Sequence, residues 1–452
     1  MNQFVAFIGK CIIVFWLLFP ADGHASVLDD YEESRKMYLA ATACMAAYSD
    51  RVGSFAFDAL LRDGWQVEPY AKTTSSADAR FLLAGKIHPD SNQPVYILAV
   101  VGTETIKDVL TNMLVGQVYF AGRTPEEFAA NAGRKDMPDT APKVHKGYNQ
   151  FVQTALDAKG LEGSDTAKQQ FTAMLLEHHA GKIYLVGHSM GGATVTLAGA
   201  RLVSMGVRPE QIEIITFGAP AMGNEAFRNE FEPMLHLTRI VTSGDPFTEA
   251  LQDLVGGYVQ FGREIGWAVP ESATVMPHEM TMYLDLAIKH YYWNRHQAIL
   301  AGVIPVLVYQ TLPANDVPRV YVAPIKNRLS ENLQEEFFYM KEVLQEEYRR
   351  AFPGYFIDTA QEGGDVFKKA AAAGCQLVIV AEVQDSKIKN EQSGYYITLE
   401  QSVYRVDTGD IISIARYGRS TRTTTPLQAL IQDSTNISRD SQDWLISAQI
   451  KQ

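Results

Sequence analysis

Residues Lys182–Met205 read KIYLVGHSMGGATVTLAGARLVSM. Ile183–Val186 is a short apolar run of the kind a buried strand makes, and Ala193–Met205 carries the small and apolar residues of a buried helix. Between them stands Gly187-His188-Ser189-Met190-Gly191, a GxSxG sequence at a strand-to-helix turn. Such a turn lifts a serine hydroxyl above the end of a sheet. Glycines two positions to either side keep Cβ atoms out of the tight turn. Gly192 and Ala193 let the helix pack close to the strand, and its N-terminus points N–H groups and a positive dipole end at the serine. In a chain with 33 glycines among 452 residues a GxSxG also arises by chance. The reading therefore turns on whether the partners of an activated serine follow in the right order.

They do. Ile212–Phe217 (IEIITF) is a second buried strand, Gly223-Asn224 leads into a helix carrying Phe227 and Phe231, and Thr238–Thr242 (TRIVT) is a third strand. That strand runs out at Ser243-Gly244-Asp245-Pro246. An aspartate just past a strand sits where the acid of a Ser…Asp…His order is expected, although in isolation the same sequence is an ordinary Asx-turn before proline. His278 follows Pro277 at a loop-to-helix entry and is the candidate base; His290 and His296 lie further along in HYYWNRH and read as packing or surface groups.

Upstream, Asp29–Leu61 has apolar residues at helical spacing, among them Tyr38, Ala41, Met45 and Tyr48. Arg80–Ala84 and Val95–Val101 read as strands, the second continuously apolar as a central parallel strand should be. It ends at Gly102-Thr103, where the backbone N–H and hydroxyl of Thr103 are placed to act as oxyanion-hole donors; the ordinary alternative is a threonine capping a helix. Met113–Lys143 lacks clear periodicity. It reads either as a flap whose Val118, Tyr119, Phe120 and Phe128 meet a lipid surface on opening, or as a surface insertion. His145 precedes the serine and opens a helix running to about Leu156, and is read as structural.

The formal charge of −12 argues against nucleic acid as a partner. Residues 1–25 have the pattern of a secretory signal: Lys10, the apolar run Cys11–Phe19, Pro20, then small residues at Gly23-His24-Ala25. The run is short for a membrane span, an uncleaved anchor being the alternative reading, and the expected destination is exported, to the periplasm, outer envelope or extracellular space. Cys44 and Cys375 remain beyond the signal and read as two isolated buried thiols. No Cys/His cluster has metal-ligand spacing.

Taken together, VVGTETIKDVLTN, VHKGY, VGHSMGG, ITFGAPAMGNEAF, TSGDP and HEMTMYL resemble the class 3 lipases over about residues 95–285. The resemblance implies an α/β-hydrolase fold with a central, mostly parallel sheet, and an ester-hydrolysing enzyme needing no metal or cofactor. Position by position it implies Ser189 as nucleophile, Asp245 as acid, His278 as base, and Thr103 with the Met190 backbone N–H as oxyanion hole. Two positions depart from the family pattern: Val101 stands where an arginine is usual, and Val109 where tryptophan is common. The arginine normally ties down neighbouring loop structure, so the closed state of a flap would be held differently here.

The expected organisation is a signal over 1–25, an α/β-hydrolase domain over 26–311, a linker over 312–318, a second, smaller α/β (α+β) domain over 319–425 and a polar tail over 426–452. Within the second domain, Arg319–Pro324 reads as a strand and Ser330 opens an amphipathic helix. A helix over Asp365–Ala373 and a strand over Leu377–Glu382 follow. Tyr395–Arg405 and Ile411–Tyr417 make a hairpin across Asp407-Thr408-Gly409-Asp410. This order resembles the TolB amino-terminal type of envelope module, which implies docking to an envelope protein partner rather than chemistry. The expected substrate is an acyl lipid or other ester, met at a lipid interface. Two rival readings are a phospholipase A-type enzyme and a non-catalytic envelope scaffold with a hydrolase-like domain.

Overall fold

A computed structural model describes residues 22–48, 50–73, 78–89, 91–102, 116–136, 138, 140–156, 181–248, 256–271, 273–305, 319–352, 356–357, 364–389 and 394–441. The chain divides into two compact units. One comprises Leu39–Leu286 together with Arg422–Thr425; the other comprises residues up to Tyr38, Ala287–Thr421 and Pro426 onward. The division does not follow the linear plan of a linker at 312–318. It falls inside two helices, Asp22–Ala46 and Met280–Leu300, and returns four residues of the C-terminal region to the first unit.

In the first unit the strands are β1 (Gln66–Thr73), β2 (Asp78–Ile87), β3 (Pro94–Val100), β4 (Gln117–Tyr119), β5 (Lys143–His145), β6 (Lys182–His188), β7 (Ile212–Phe217), β8 (Leu237–Thr242) and β9 (Arg263–Trp267). Seven of them form one sheet in the order β1-β2-β3-β6-β7-β8-β9, while β4 and β5 pair separately. β1, β2 and β3 run antiparallel, and β3, β6, β7, β8 and β9 are parallel. The sequence explains the order. β3, β6 and β7 bury Ile97, Leu98, Val100, Ile183, Leu185, Val186, Ile214 and Ile215, and strands covered on both faces must be apolar throughout. β1 (QVEPYAKT) is polar, carries Pro69 and takes an edge position, where a missing N–H costs no ladder bond.

The helix Met190–Ser204 is buried from Met190 to Leu202. Its small residues set the distance to the sheet: a Cβ on Gly199 would stand 2.6 Å from Ile214 Cδ1, and one on Gly192 would stand 2.7 Å from Ala219 Cβ. Even Arg201 is buried on this helix. Its Nη2 donates to Asn149 Oδ1 at 2.7 Å and its guanidinium lies 4.7 Å from the Phe128 ring centre, an arrangement that sets the charge against an aromatic face.

The Met113–Lys143 stretch is more ordered than its lack of periodicity suggests. Thr124 caps the helix Pro125–Ala132, accepting from Glu127 N–H, with proline inside the first turn. Phe120 stacks among Phe128, Phe227 and Phe231 at ring distances of 4.9 to 5.5 Å. Phe120 and Phe128 are core residues, each worth about 1.5–3 kcal/mol of burial, and the flap reading fails for them. Residues 113–115, 137 and 139 of this stretch lie outside the described residues.

The second unit is built on β10 (Val320–Val322), β11 (Lys326–Arg328), β12 (Phe356–Ile357), β13 (Leu377–Lys387), β14 (Tyr395–Arg405) and β15 (Ile411–Ser420). They lie in the order β12-β10-β13-β14-β15, with β11 also on β13. The β14–β15 hairpin turns through Gly409 at φ +75°, a left-handed conformation that glycine adopts without Cβ strain. The amphipathic helix appears over Glu336–Ala351, with Met340, Leu344 and Tyr348 buried. Within the stretch expected as a polar tail, Pro426–Ser434 is a helix that packs firmly, with Leu427, Ala429 and Leu430 fully buried. Its Asp433 pairs with Arg419 at 3.3 Å. Cys44, in the first unit, and Cys375, in the second, are both buried free thiols. Among the described residues no helix is long and apolar enough to cross a membrane.

Candidate active site

The tips of β3, β6, β7 and β8, all in the first unit, bring the site together. At the end of β6 the chain turns through Ser189 at φ +54° and ψ −125°, a backbone conformation that costs a non-glycine residue about 1–3 kcal/mol and persists only where the surroundings over-determine it. They do so here. Ser189 N–H donates to Phe217 O at 2.9 Å. A Cβ on Gly187 would lie 2.4 Å from the Gly191 carbonyl carbon, and one on Gly191 would lie 2.3 Å from Val100 O. The glycines of the motif are thus fixed by backbone packed on backbone.

Asp245 sits in the turn after β8, and His278 at the entry to the helix Met280–Leu300. The three residues meet. Ser189 Oγ lies 3.1 Å from His278 Nε2, and His278 Nδ1 lies 2.8 and 2.9 Å from the two Asp245 carboxylate oxygens. Ser189 is 2% exposed, His278 7% and Asp245 8%, so the whole chain of hydrogen bonds runs in a region shielded from bulk water.

Two groups not anticipated from the sequence complete the acid's surroundings. Tyr283 Oη donates to Asp245 Oδ2 at 2.6 Å, and Phe247 N–H donates to Oδ1 at 2.9 Å. Burial pushes the Asp245 carboxyl upward, yet the bonds from His278, Tyr283 and Phe247 outweigh it and hold the carboxyl below its ordinary value. Asp245 is a carboxylate at neutral pH. Gly218 makes room for it: at φ +57°, a Cβ there would stand 2.6 Å from Asp245 Oδ2. Tyr283 stands five residues beyond His278 in HEMTMY, in the first turn of the helix Met280–Leu300, where its sequence context marks only helix.

Met190 opens the elbow helix, as an oxyanion donor should. Thr103 lies outside the described residues, but its neighbour Gly102 is pressed against the site: a Cβ on Gly102 would lie 3.3 Å from Ser189 Cβ. His145 is fully buried, stacks on Tyr148 with ring centres 4.1 Å apart and accepts from the Tyr148 N–H through Nδ1; it is not among the partners of Ser189. His290 is exposed, and His296 lies 3.9 Å from Glu342 in the second unit. Among the described residues no group of three or more His, Cys, Asp or Glu side chains is placed to hold a metal ion.

A buried serine hydrogen-bonded to an imidazole that is oriented by a carboxylate is the arrangement that activates a hydroxyl for attack on a carbonyl carbon. Comparison with known proteins places the same region. Residues 97–253 match the family model for lipase (class 3). A lipase of Caenorhabditis elegans is 40% identical over 65 residues, 14% of this chain and 18% of the relative. Phospholipase A1-II 4 of Oryza sativa subsp. japonica is 31% identical over 116 residues, 23% and 29%. Secreted mono- and diacylglycerol lipase 1 of Fusarium solani is 35% identical over 171 residues, 37% and 43%. In each case the match spans less than half of the relative's length. The region of this chain that carries the elbow and Asp245 is thus the part that matches the class 3 lipase family.

Proposed function

We propose that this protein is an exported serine hydrolase that cleaves carboxylic esters of acyl lipids through Ser189, His278 and Asp245. The observation that carries the reading is the unbroken chain from Ser189 Oγ to His278 Nε2, and from His278 Nδ1 to Asp245, at 3.1 and 2.8 Å on a strained elbow. As Ser189 Oγ attacks the ester carbonyl carbon, its proton passes to His278 Nε2. Asp245 holds the proton on Nδ1 and stabilises the imidazolium. The carbonyl oxygen becomes an oxyanion, for which the family resemblance implies the Met190 N–H and Thr103 as donors, each donor of this kind being worth roughly 3 kcal/mol. His278 then gives its proton to the leaving alcohol, and the acyl-enzyme forms. Water attacks the acyl carbon by the same route in reverse, its proton passing through His278 to Ser189 as the acid leaves.

Phospholipids and mono- or diacylglycerols are the substrate classes favoured by the relatives' names, and a panel of both ranks them by kcat/KM. The exported route is supported by the basic-then-apolar start of the chain and by the secreted Fusarium relative. Intact-mass labelling with a fluorophosphonate tests the reading. Wild type takes one adduct, Ser189→Ala takes none and His278→Ala reacts about 10³-fold more slowly. Protein recovered outside the cytoplasm should lack the mass of residues 1–25. Folded wild type that takes no adduct, with or without detergent, refutes the catalytic reading and favours a scaffold.

A further inference from the structure

Tyr48 lies in the turn between the helices Asp22–Ala46 and Arg51–Arg62, outside the residues that match the family model. The turn is held tightly. Tyr48 N–H donates to Met45 O at 3.0 Å, and a Cβ on Gly53 would stand 2.1 Å from the Tyr48 carbonyl oxygen, so the second helix can begin here only with glycine at that position. Asp50 caps this second helix through the Gly53 N–H at 2.7 Å. The side chain projected from this turn reaches the site: Tyr48 Oη lies 2.7 Å from His188 Nδ1 and 3.3 Å from the Gly102 nitrogen. His188, beside the nucleophile, completes the connection, its Nε2 standing 2.6 Å from the carbonyl oxygen of His278.

The direction of each hydrogen bond follows from what the groups can do. A carbonyl oxygen only accepts, so His188 Nε2 carries a hydrogen. Burial first, and then the neighbouring His278, lower the His188 pKa to about 3. The ring is therefore neutral and its Nδ1 is an acceptor. Tyr48 must donate to that nitrogen, and its oxygen accepts from the Gly102 N–H. The result is one polarised run, Gly102 N–H to Tyr48 O–H to His188 to the His278 carbonyl. It joins the end of β3, one residue before Thr103, to the elbow and to the peptide that carries the imidazole.

We propose that Tyr48 is a positioning residue for hydrolysis, its hydroxyl holding the Gly102 amide, the His188 ring and, through that ring, the His278 backbone in mutual register. The inference rests on the serine-hydrolase reading of the same site. Neither Tyr48 nor His188 touches the reacting atoms. Both act on the placement of groups that do, and misplacement of about 1 Å in such groups lowers rates by up to about 100-fold.

The test is Tyr48→Phe, with kcat and KM for a soluble ester normalised to sites titrated by fluorophosphonate, so that unfolded protein drops out. Expected is a fall of about tenfold in kcat per titrated site with KM within about twofold. A kcat per site within about twofold of wild type overturns the inference while leaving the catalytic reading intact. Wild type that takes no adduct overturns both. Nitrogen-15 imidazole spectra of the wild type supply a measurement independent of any variant folding. A neutral Nε2–H tautomer of His188 persisting from pH 5 to pH 8 supports the run of bonds; a protonated ring at pH 6, or an Nδ1–H tautomer, removes its basis.

Discussion

Replacing Tyr283 by phenylalanine removes one oxygen from the surroundings of Asp245 and leaves the ring in place. That oxygen donates to Asp245 Oδ2 at 2.6 Å and accepts from the Thr242 N–H at 3.2 Å, and Tyr283 is fully buried. A hydrogen bond to a charged group contributes about 1.5–3 kcal/mol, and the variant should lose that much stability at neutral pH. The pH dependence is the sharper consequence. Asp245 is held below its ordinary pKa in the folded protein, so its contribution to stability is fully present above the unfolded value of about 3.9 and is lost as pH falls through the folded value. Removing the Tyr283 bond moves the folded value upward, and the variant begins to lose this contribution at higher pH. The gap between wild type and variant should therefore be widest near pH 7 and narrow on acidification. In turnover the remaining bonds from His278 and Phe247 keep the carboxylate in place, and the expected loss in kcat is about tenfold, one charge-assisted bond's worth at the low end of its range. Urea midpoints from pH 7 down to pH 2, with kcat on a soluble ester at pH 7, measure both. A stability gap that does not narrow anywhere below the ordinary carboxyl value would refute the assignment of Tyr283 as a partner of the ionised carboxylate.

Two further substitutions probe neighbouring features. Gly218→Ala puts a Cβ 2.6 Å from Asp245 Oδ2 at φ +57°, costing about 1–2 kcal/mol in backbone strain alone and pushing the carboxylate off the imidazole. Steady-state kinetics should show kcat falling by at least about tenfold while KM changes little, and an unchanged kcat would mean that the site yields without consequence. Thr425→Val removes the hydroxyl that bonds Asp285, which is 1% exposed. Urea unfolding should register a loss of about 1–3 kcal/mol with kcat per titrated site preserved, because Asp285 does not touch the reacting atoms. An unmoved midpoint would show that the Thr425–Asp285 bond adds nothing to the stability of the first unit.

Much of the site was legible because local sequence dictates it. An elbow needs glycine where backbone packs on backbone, so Gly187 and Gly191 mark Ser189 regardless of the rest of the chain. Apolar runs such as IEIITF mark strands buried on both faces, and Asp245 and His278 follow because strand ends and helix entries are where loops carry function. The edge strands β1 and β9 left no such mark, since a half-exposed strand tolerates the residues of a loop. The helix Pro125–Ala132 did leave one, in Thr124-Pro125-Glu126-Glu127, a capping pattern hidden by the irregular sequence around it.

The sequence by itself marked the buried central strands, the elbow that carries Ser189, and the order in which its candidate acid and base follow, because each of these is written in contiguous residues obeying strand, helix or turn rules. Only the tertiary structure decided which side chains converge from afar. Tyr48 reads as one more apolar position on a helical face, yet it lies just past the helix end and puts its hydroxyl against His188, 140 residues on. Phe120 and Phe128 read as a surface that could open, yet they pack with Phe227 and Phe231 in the core. Thr424 and Thr425 read as the end of the C-terminal module, yet they belong with Thr274 and Asp285 in the first unit. In each case the chemistry of a residue is local but its partner is selected by chain closure and packing, and side-chain type alone does not carry that information.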